Sequence, residues 1–383
     1  MRLYYEWGLK QLRKHGEELC GDSISIVRHS DSVTLALSDG LGSGVKANIL
    51  ATLTTRIAMH LLENQLSLSE VVETLSKTLP VCQVRKLAYS TFAIAQFFAD
   101  GRAWVVEFDT PPTIVLRGRK VLPLICSERA IEGKTIRESL FEPELGDWVV
   151  FVSDGVLNAG IGGVYPLGWG WDQTARYLEN HAHPELSAQE LADKLVQTVA
   201  ELYAGAAGDD VSAVVIKVRH KLGATVLTGP PHSPDNDEAV LTRFLERRGR
   251  HAVCGGTTAK IVARRLGRTL EVDLDTMRPD VPPLARMEEI DLITEGILTL
   301  TKTYELLRFG ATKEAVRYRT DGAAALLRLL LDVDQVHFMV GLGVNPAHQN
   351  PKLPIHLGMK LSVVREIAEE LRKRGTEVSI ESM

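Results

Sequence analysis

One phrase occurs twice in this chain and narrows the folds open to it. Leu35-Ala36-Leu37-Ser38-Asp39-Gly40 and Val149-Val150-Phe151-Val152-Ser153-Asp154-Gly155 both run from an apolar stretch into Ser-Asp-Gly. A short apolar run bounded by a turn signal reads as a buried strand. Each Asp then stands where a rigid strand gives way to a loop, held by the scaffold and facing solvent. The following Gly permits a sharp turn and lets a backbone carbonyl approach whatever the Asp holds. A lone Asp-Gly is readily a plain turn. Identical wording at two distant strand ends instead suggests carboxylates that share a metal site.

At 383 residues the chain exceeds one ordinary core, so two domains are expected, with the boundary near Lys221: 1–221 and 222–383. The first part mixes strands (Ser25–Arg28, Val33–Ser38, Thr91–Phe98, Ala103–Phe108, Trp148–Ser153, Val211–Val218) with paired helical stretches, among them Leu68–Leu79 and Ala188–Tyr203. That grammar predicts an α+β domain of two packed sheets flanked by helices. The second part reads β-α-β-α-β: Ala224–Leu227, Ala239–Arg248, His251–Cys254, Ala259–Leu266, Leu270–Leu274. This predicts a doubly wound, Rossmann-like α/β domain with a parallel sheet.

Composition excludes several classes. A formal net charge of -5 argues against a nucleic-acid surface. No apolar run approaches bilayer length, and Met1–Glu6 lacks the apolar core of a signal peptide, so a cytoplasmic protein without a membrane partner is expected. Cys20, Cys82, Cys126 and Cys254 form no CxxC pair, which speaks against a disulfide framework or a zinc knuckle.

Two more acidic signals fit the first domain. Gly21-Asp22 precedes the strand that pairs with the first Ser-Asp-Gly strand, and Gly208-Asp209-Asp210-Val211-Ser212 enters the last strand. Carboxylates held close raise one another's pKa unless a cation neutralises them. All-oxygen donors select hard ions, Mg²⁺ or Mn²⁺, over zinc. Two such ions about 3.5–4 Å apart can clamp a phosphoryl group and activate a water.

Five phrases in this order (Gly21-Asp22, Ser38–Gly44, Ser90–Phe92, Gly146–Val156 and Asp209–Ser212) resemble the metal-dependent protein phosphatase 2C superfamily. More closely, they resemble its bacterial sporulation stage II protein E type, over Glu17 to Val218. The resemblance implies an αββα sandwich and two ions, Mn²⁺ or Mg²⁺. It implies that Asp22, Asp39 and the Gly40 carbonyl hold metal, with Asp154 and Asp209 on the other ion. Asp209 is preferred to Asp210 because it begins the Asp-x-x-Ser phrase. A hydroxide between the ions would attack phosphorus and expel the Ser or Thr alkoxide. Eukaryotic relatives place a phosphate-binding Arg upstream of the first Asp; here Cys20-Gly21 stand there, leaving phosphate recognition unassigned.

In the second domain, Gly255-Gly256-Thr257-Thr258 between a strand and a helix makes a ready anion site. The plainer reading is that Thr257 or Thr258 only caps the helix. Glu295, Gly341 and Asn345 also follow strand ends, where open parallel sheets bind ligands. The expectation is a sensor for a small anionic ligand. For the whole chain it is a serine/threonine protein phosphatase acting on a phosphorylated signalling protein, such as an anti-sigma-factor antagonist, under control of the second domain. The rival is a catalytically weak scaffold that binds a ligand through residues 222–383.

Overall fold

The computed structural model describes residues 3–64, 66–78, 90–131, 134–231, 233–279, 281–343 and 355–383. Cys82 and Asn345 lie outside the described residues. The chain divides into two compact units, Met1–His220 and Lys221–Met383.

The first unit runs β1 (Tyr4–Leu12), β2 (Asp22–Arg28), β3 (Ser32–Asp39), α1 (Gly44–Glu63), α2 (Leu68–Thr78), β4 (Phe92–Phe98), β5 (Ala103–Phe108) and β6 (Ile114–Arg117). It continues with β7 (Lys120–Val121), β8 (Cys126–Ile131), β9 (Lys134–Phe141), β10 (Trp148–Val152), α3 (Asp154–Leu157), α4 (Gly170–His181), α5 (Ala188–Leu202) and β11 (Val211–Arg219). Two antiparallel sheets result, ordered β2-β3-β4-β5-β9-β8 and β1-β11-β10-β6-β7.

The apolar runs explain the layering. In a strand, alternate side chains face opposite ways, so a continuous apolar run feeds two cores at once. Leu35 and Leu37 of β3 pack with Val149 and Phe151 of β10 and with Val214 and Ile216 of β11, between the sheets. Ala36 faces the other way, onto Met59, Val71 and Leu75 of α1 and α2. Trp148, Val150 and Val152 face Leu178, Leu191 and Leu195 of α4 and α5. The unit is therefore layered helix, sheet, sheet, helix. At α5 a reciprocal capping box between Ser187 and Glu190 fixes the first turn.

The second unit runs β12 (Gly223–Thr228), α6 (Asp237–Glu246), β13 (Arg250–Cys254), α7 (Gly256–Leu266), β14 (Glu271–Asp273), β15 (Leu284–Met287) and β16 (Ile290–Thr294). Then come α8 (Ile297–Arg308), α9 (Gly322–Leu331), β17 (Gln335–Val340), α10 (Ile355–Lys373) and β18 (Glu377–Ser382). One sheet has the order β14-β15-β16-β13-β12-β17-β18. Strands β16 to β18 in that order pair in parallel. Phe338 and Val226 pack toward α8, α9 and α10, and Leu227, Val253 and Ile293 toward α6 and α7.

One expected element sits differently. The strand expected over Leu270–Leu274 as the next parallel strand is β14, three residues long and antiparallel to β15 at the sheet edge. Val272 and Leu274 stay 56% and 68% exposed, too little burial for a central position. The inner place goes to β16, delivered by a hairpin whose turn holds Glu289 at φ 75°.

Candidate active site

Strands β2 and β3 pair so that Asp22 and Asp39 face each other at the open end of the hairpin. Like charges directly opposite destabilise a sheet pair. The Ser of each repeated phrase locks its strand end to a neighbour. Ser38 Oγ donates to the Thr91 carbonyl at 2.6 Å and meets Ser90 Oγ at 2.5 Å. Ser153 Oγ accepts the Ser212 amide at 2.8 Å, and the Ser153 amide donates to the Ser212 carbonyl at 3.0 Å. Both glycines serve close approach rather than an unusual φ. A Cβ on Gly40 would come 2.1 Å from the Ala47 carbonyl oxygen, and one on Gly155 2.0 Å from that of Asp210. The Gly40 backbone bridges to Ser90.

Asp22, Asp39, Asp154 and Asp209 come together. Asp39, Gly40, Asp154 and Asp209 line a cleft of about 550 Å³, while Asp22 is buried beside it, 3% exposed. Neither carboxylate oxygen of Asp22 has a hydrogen-bond partner. Burial pushes the Asp22 carboxyl up to about 6; nearby Ser212 and Ser153 hydroxyls pull it partway back, while Asp210 and Asp154 add to the rise. Asp39 is pushed up to about 9, first by burial and then by the charges of Asp22, Asp154 and Asp209. Asp154 as a whole residue is exposed, yet its carboxyl stands crowded in the cleft mouth and is raised by lost solvation and by Asp209. Asp209 is raised by burial and by Asp210, against the Asp210 amide and the Lys14 charge. As they stand, no three carboxylate, imidazole or thiol groups among the described residues close to the spacing of one coordination shell.

The two neighbouring acids divide their roles. Asp209 faces the cleft; Asp210 is buried, 4% exposed, and accepts the Lys14 amide at 2.9 Å through Oδ1. Two cleft residues escaped the sequence reading. Asp109 follows a strand but reads as a loop residue before Pro111-Pro112; it has φ 50° and lines the cleft. Lys14 lines it as well, and no motif marks it. Asp147, which reads as a turn residue, closes the turn with Glu144, its amide donating to the Glu144 carbonyl at 3.0 Å, and is also buried and paired with Arg117 at 2.8 Å.

In the second unit, Gly255 holds the N-cap position of α7 at φ 139°, with Thr257 and Thr258 inside the first turn. Thr258 is buried, and Thr257 is exposed within the first turn. Gly256 neighbours Glu295: a Cβ there would stand 3.9 Å from Glu295 Oε1. Glu295 already accepts the Gly296 amide at the start of α8. Gly341 packs on backbone, where a Cβ would meet the Pro230 carbonyl oxygen at 2.1 Å. Lys360, which the sequence reading did not single out, reaches the Gly229 position; a Cβ there would stand 3.2 Å from Nζ. Burial lowers its pKa, against the charge of Glu295.

Layered antiparallel sheets with a carboxylate-lined cleft at their strand ends make the first unit an α+β domain of the metal-dependent (PP2C-type) protein phosphatase class. The family model "Stage II sporulation protein E (SpoIIE)" matches residues 29–219, and through that region the chain belongs to the SpoIIE family. Stage II sporulation protein E of Bacillus subtilis is 22% identical over 230 residues, covering 56% of this chain and 26% of that protein. The Priestia megaterium protein of the same name is also 22% identical over 230 residues, covering 56% and 36%. The chain thus spans about a quarter to a third of the length of these relatives. A solved structure of the PP2C phosphatase domain and a fragment of the regulatory domain of SpoIIE from Bacillus subtilis aligns with TM-score 0.49 and 22% identity. It covers 57% of this chain and 64% of that one. Among the described residues no helix is long and apolar enough to cross a membrane.

Proposed function

We propose that the protein is a serine/threonine protein phosphatase that uses two divalent cations, Mn²⁺ or Mg²⁺, held by Asp22, Asp39, the Gly40 carbonyl, Asp154 and Asp209. One observation carries the reading: a buried carboxylate with two unpartnered oxygens lies in a cluster whose other members are raised by one another's charge. Such a cluster costs folding energy unless a cation satisfies it. Its donors are all oxygen, which suits hard ions. Divalent ions bound there would supply Lewis acidity toward a phosphoryl group and lower the pKa of water. The chain's own part is positional. Ser38 and Ser153 fix the strand ends that carry Asp39 and Asp154, and the cleft admits a side-chain phosphate. The side chains would close on the ions, since no shell stands complete among the described residues.

The substrate in this reading is a phosphorylated signalling protein. The second unit is read as a Rossmann-like regulatory domain for a small anionic ligand near Gly255, Gly256, Glu295, Gly341 and Lys360. Its support is the gathering of strand ends and a cation at the point where the parallel order reverses between β12 and β17. The test is hydrolysis of p-nitrophenyl phosphate and a phosphoserine peptide with Mn²⁺, alongside Mn²⁺ titration calorimetry. The parent should be active and take up Mn²⁺; Asp39→Asn and Asp154→Asn should each lose at least about 100-fold in rate, as loss of direct ligands should exceed that of their supporting groups. A parent that binds no Mn²⁺, or variants as active as the parent, would overturn the assignment.

A further inference from the structure

We propose that Gln11 is a positioning residue of the metal centre: its amide aims the Ser212 hydroxyl at Asp22 and so holds that carboxylate in one orientation for a cation. This rests on the metal reading of the acidic cluster. Side-chain alternation gathers the parts in one layer. Asp22 shares a face of β2 with Ile24 and Ile26, and Ser212 a face of β11 with Val214 and Ile216, both turned between the sheets. Gln11 shares its face of β1 with Tyr5 and Trp7 and lies directly opposite Ser212.

The contacts of the Gln11 amide fix its sense. Its Nε2 stands 2.8 Å from Ser212 Oγ, 3.4 Å from the Asp22 backbone carbonyl and 3.6 Å from Cys20 Sγ. A carbonyl oxygen only accepts, so the nitrogen end of the amide faces it, and Ser212 Oγ receives an N–H. The Ser212 hydroxyl then keeps its own hydrogen to give. Ser153 is in the same state: its Oγ accepts the Ser212 amide at 2.8 Å, and its hydrogen reaches the Asp210 carbonyl only at 3.5 Å. Both hydroxyls stand near enough to Asp22 to draw its carboxyl down against burial, while neither carboxylate oxygen has a closed hydrogen bond.

Asp22, Ser153 and Ser212 are all buried, so bulk solvent is not at hand to orient the carboxylate. A hydroxyl hydrogen committed to one oxygen leaves the other for a cation, and it removes a torsional freedom that binding would otherwise have to freeze. Gln11 belongs to the five-stranded sheet and Asp22 to the six-stranded one, so this amide ties the two layers where the acidic cluster forms. Gln11 is not among the residues lining the cleft, and it acts through Ser212 instead of touching substrate.

The experiment compares the full chain with Gln11→Met, Gln11→Glu, Ser212→Ala and the double variant Gln11→Met with Ser212→Ala. Calorimetry reads Mn²⁺ affinity, electron paramagnetic resonance the surroundings of bound Mn²⁺, and a denaturant titration the stability. Gln11→Met keeps the length without a donor and should weaken Mn²⁺ binding about 10-fold, the scale of loss for a group that orients a metal ligand. The Mn²⁺ spectrum should change with it. Gln11→Glu draws the Ser212 hydrogen away from Asp22, and it carries the test alone should Gln11→Met fail to fold. Added negative charge by itself would strengthen cation binding, so weaker Mn²⁺ affinity in Gln11→Glu is the discriminating sign. The double variant should lose no more than Ser212→Ala, since residues acting through one another do not add. A Gln11→Met that loses only stability, a Gln11→Glu that binds Mn²⁺ more tightly, or additive losses in the double variant overturns the proposal. A parent that takes up Mn²⁺ while both Gln11 variants match it removes Gln11 alone; a parent that takes up none overturns the metal reading and this one together.

Discussion

At the scale of single residues, the acidic cluster makes stability depend on pH in a direction that can be worked out. Asp22 and Asp39 are raised in the fold to about 6 and about 9 from the ordinary 3.8. The folded, metal-free protein therefore binds more protons than the unfolded chain above that ordinary value. The associated stability is full below about pH 4 and is lost as pH rises through 6 and then 9. Thermal unfolding of metal-free protein should fall in midpoint from pH 5 to pH 9, and Asp39→Asn should flatten that slope. Each kcal/mol recovered is worth about 2–4 °C in a unit of this size. An unchanged slope in the variant would show that Asp39 does not carry the effect. Asp39 and Asp154 were legible because strand, Asp and Gly stand together in one phrase. Asp22 was legible only as the partner of that strand. Asp109 was hidden because Asp-Thr-Pro-Pro reads as a turn, and Lys14 because a loop lysine looks like any solvated charge until the chain places it.

At the scale of elements, the sequence disclosed what periodicity and turn chemistry record and missed what pairing decides. The runs at Leu35–Leu37 and Val149–Val152 told of strands buried on both faces, and the structure places a core on each side of them. Nothing local told that Glu271–Asp273 would be pushed to an edge by a hairpin formed later in the chain. Nor did the sequence reveal that Gly155 is required by the Asp210 carbonyl. Gly155→Ala should force α3 away from the entry to β11, parting Asp154 from Asp209. Overpacking of this kind costs about 1–3 kcal/mol. A denaturant titration should show that cost, and calorimetry a weaker Mn²⁺ affinity. Ser187→Ala provides the contrast. It removes the capping box of α5 and should cost about 1 kcal/mol, while Mn²⁺ affinity and peptide hydrolysis stay at the parental level.

At the scale of the whole molecule, each unit owns a complete set of cores. Residues 1–220 should accordingly fold alone, melt in one cooperative transition and hydrolyse p-nitrophenyl phosphate with Mn²⁺. An aggregated or inactive fragment would mean that the second unit is needed for more than control. The first unit is also closed by its own ends: β1 pairs along its whole length with β11, Tyr4 opposite Arg219 and Leu12 opposite Val211. That pairing sets a timetable during synthesis. The opening strand must wait on the ribosome until its partner emerges about 200 residues later, and contacts of such separation form slowly. Lys14, just past the end of β1, and Asp209, just before the start of β11, are brought to the same spot by that last zipping. A nascent chain can thus build most of its scaffold before this side of the cleft is assembled.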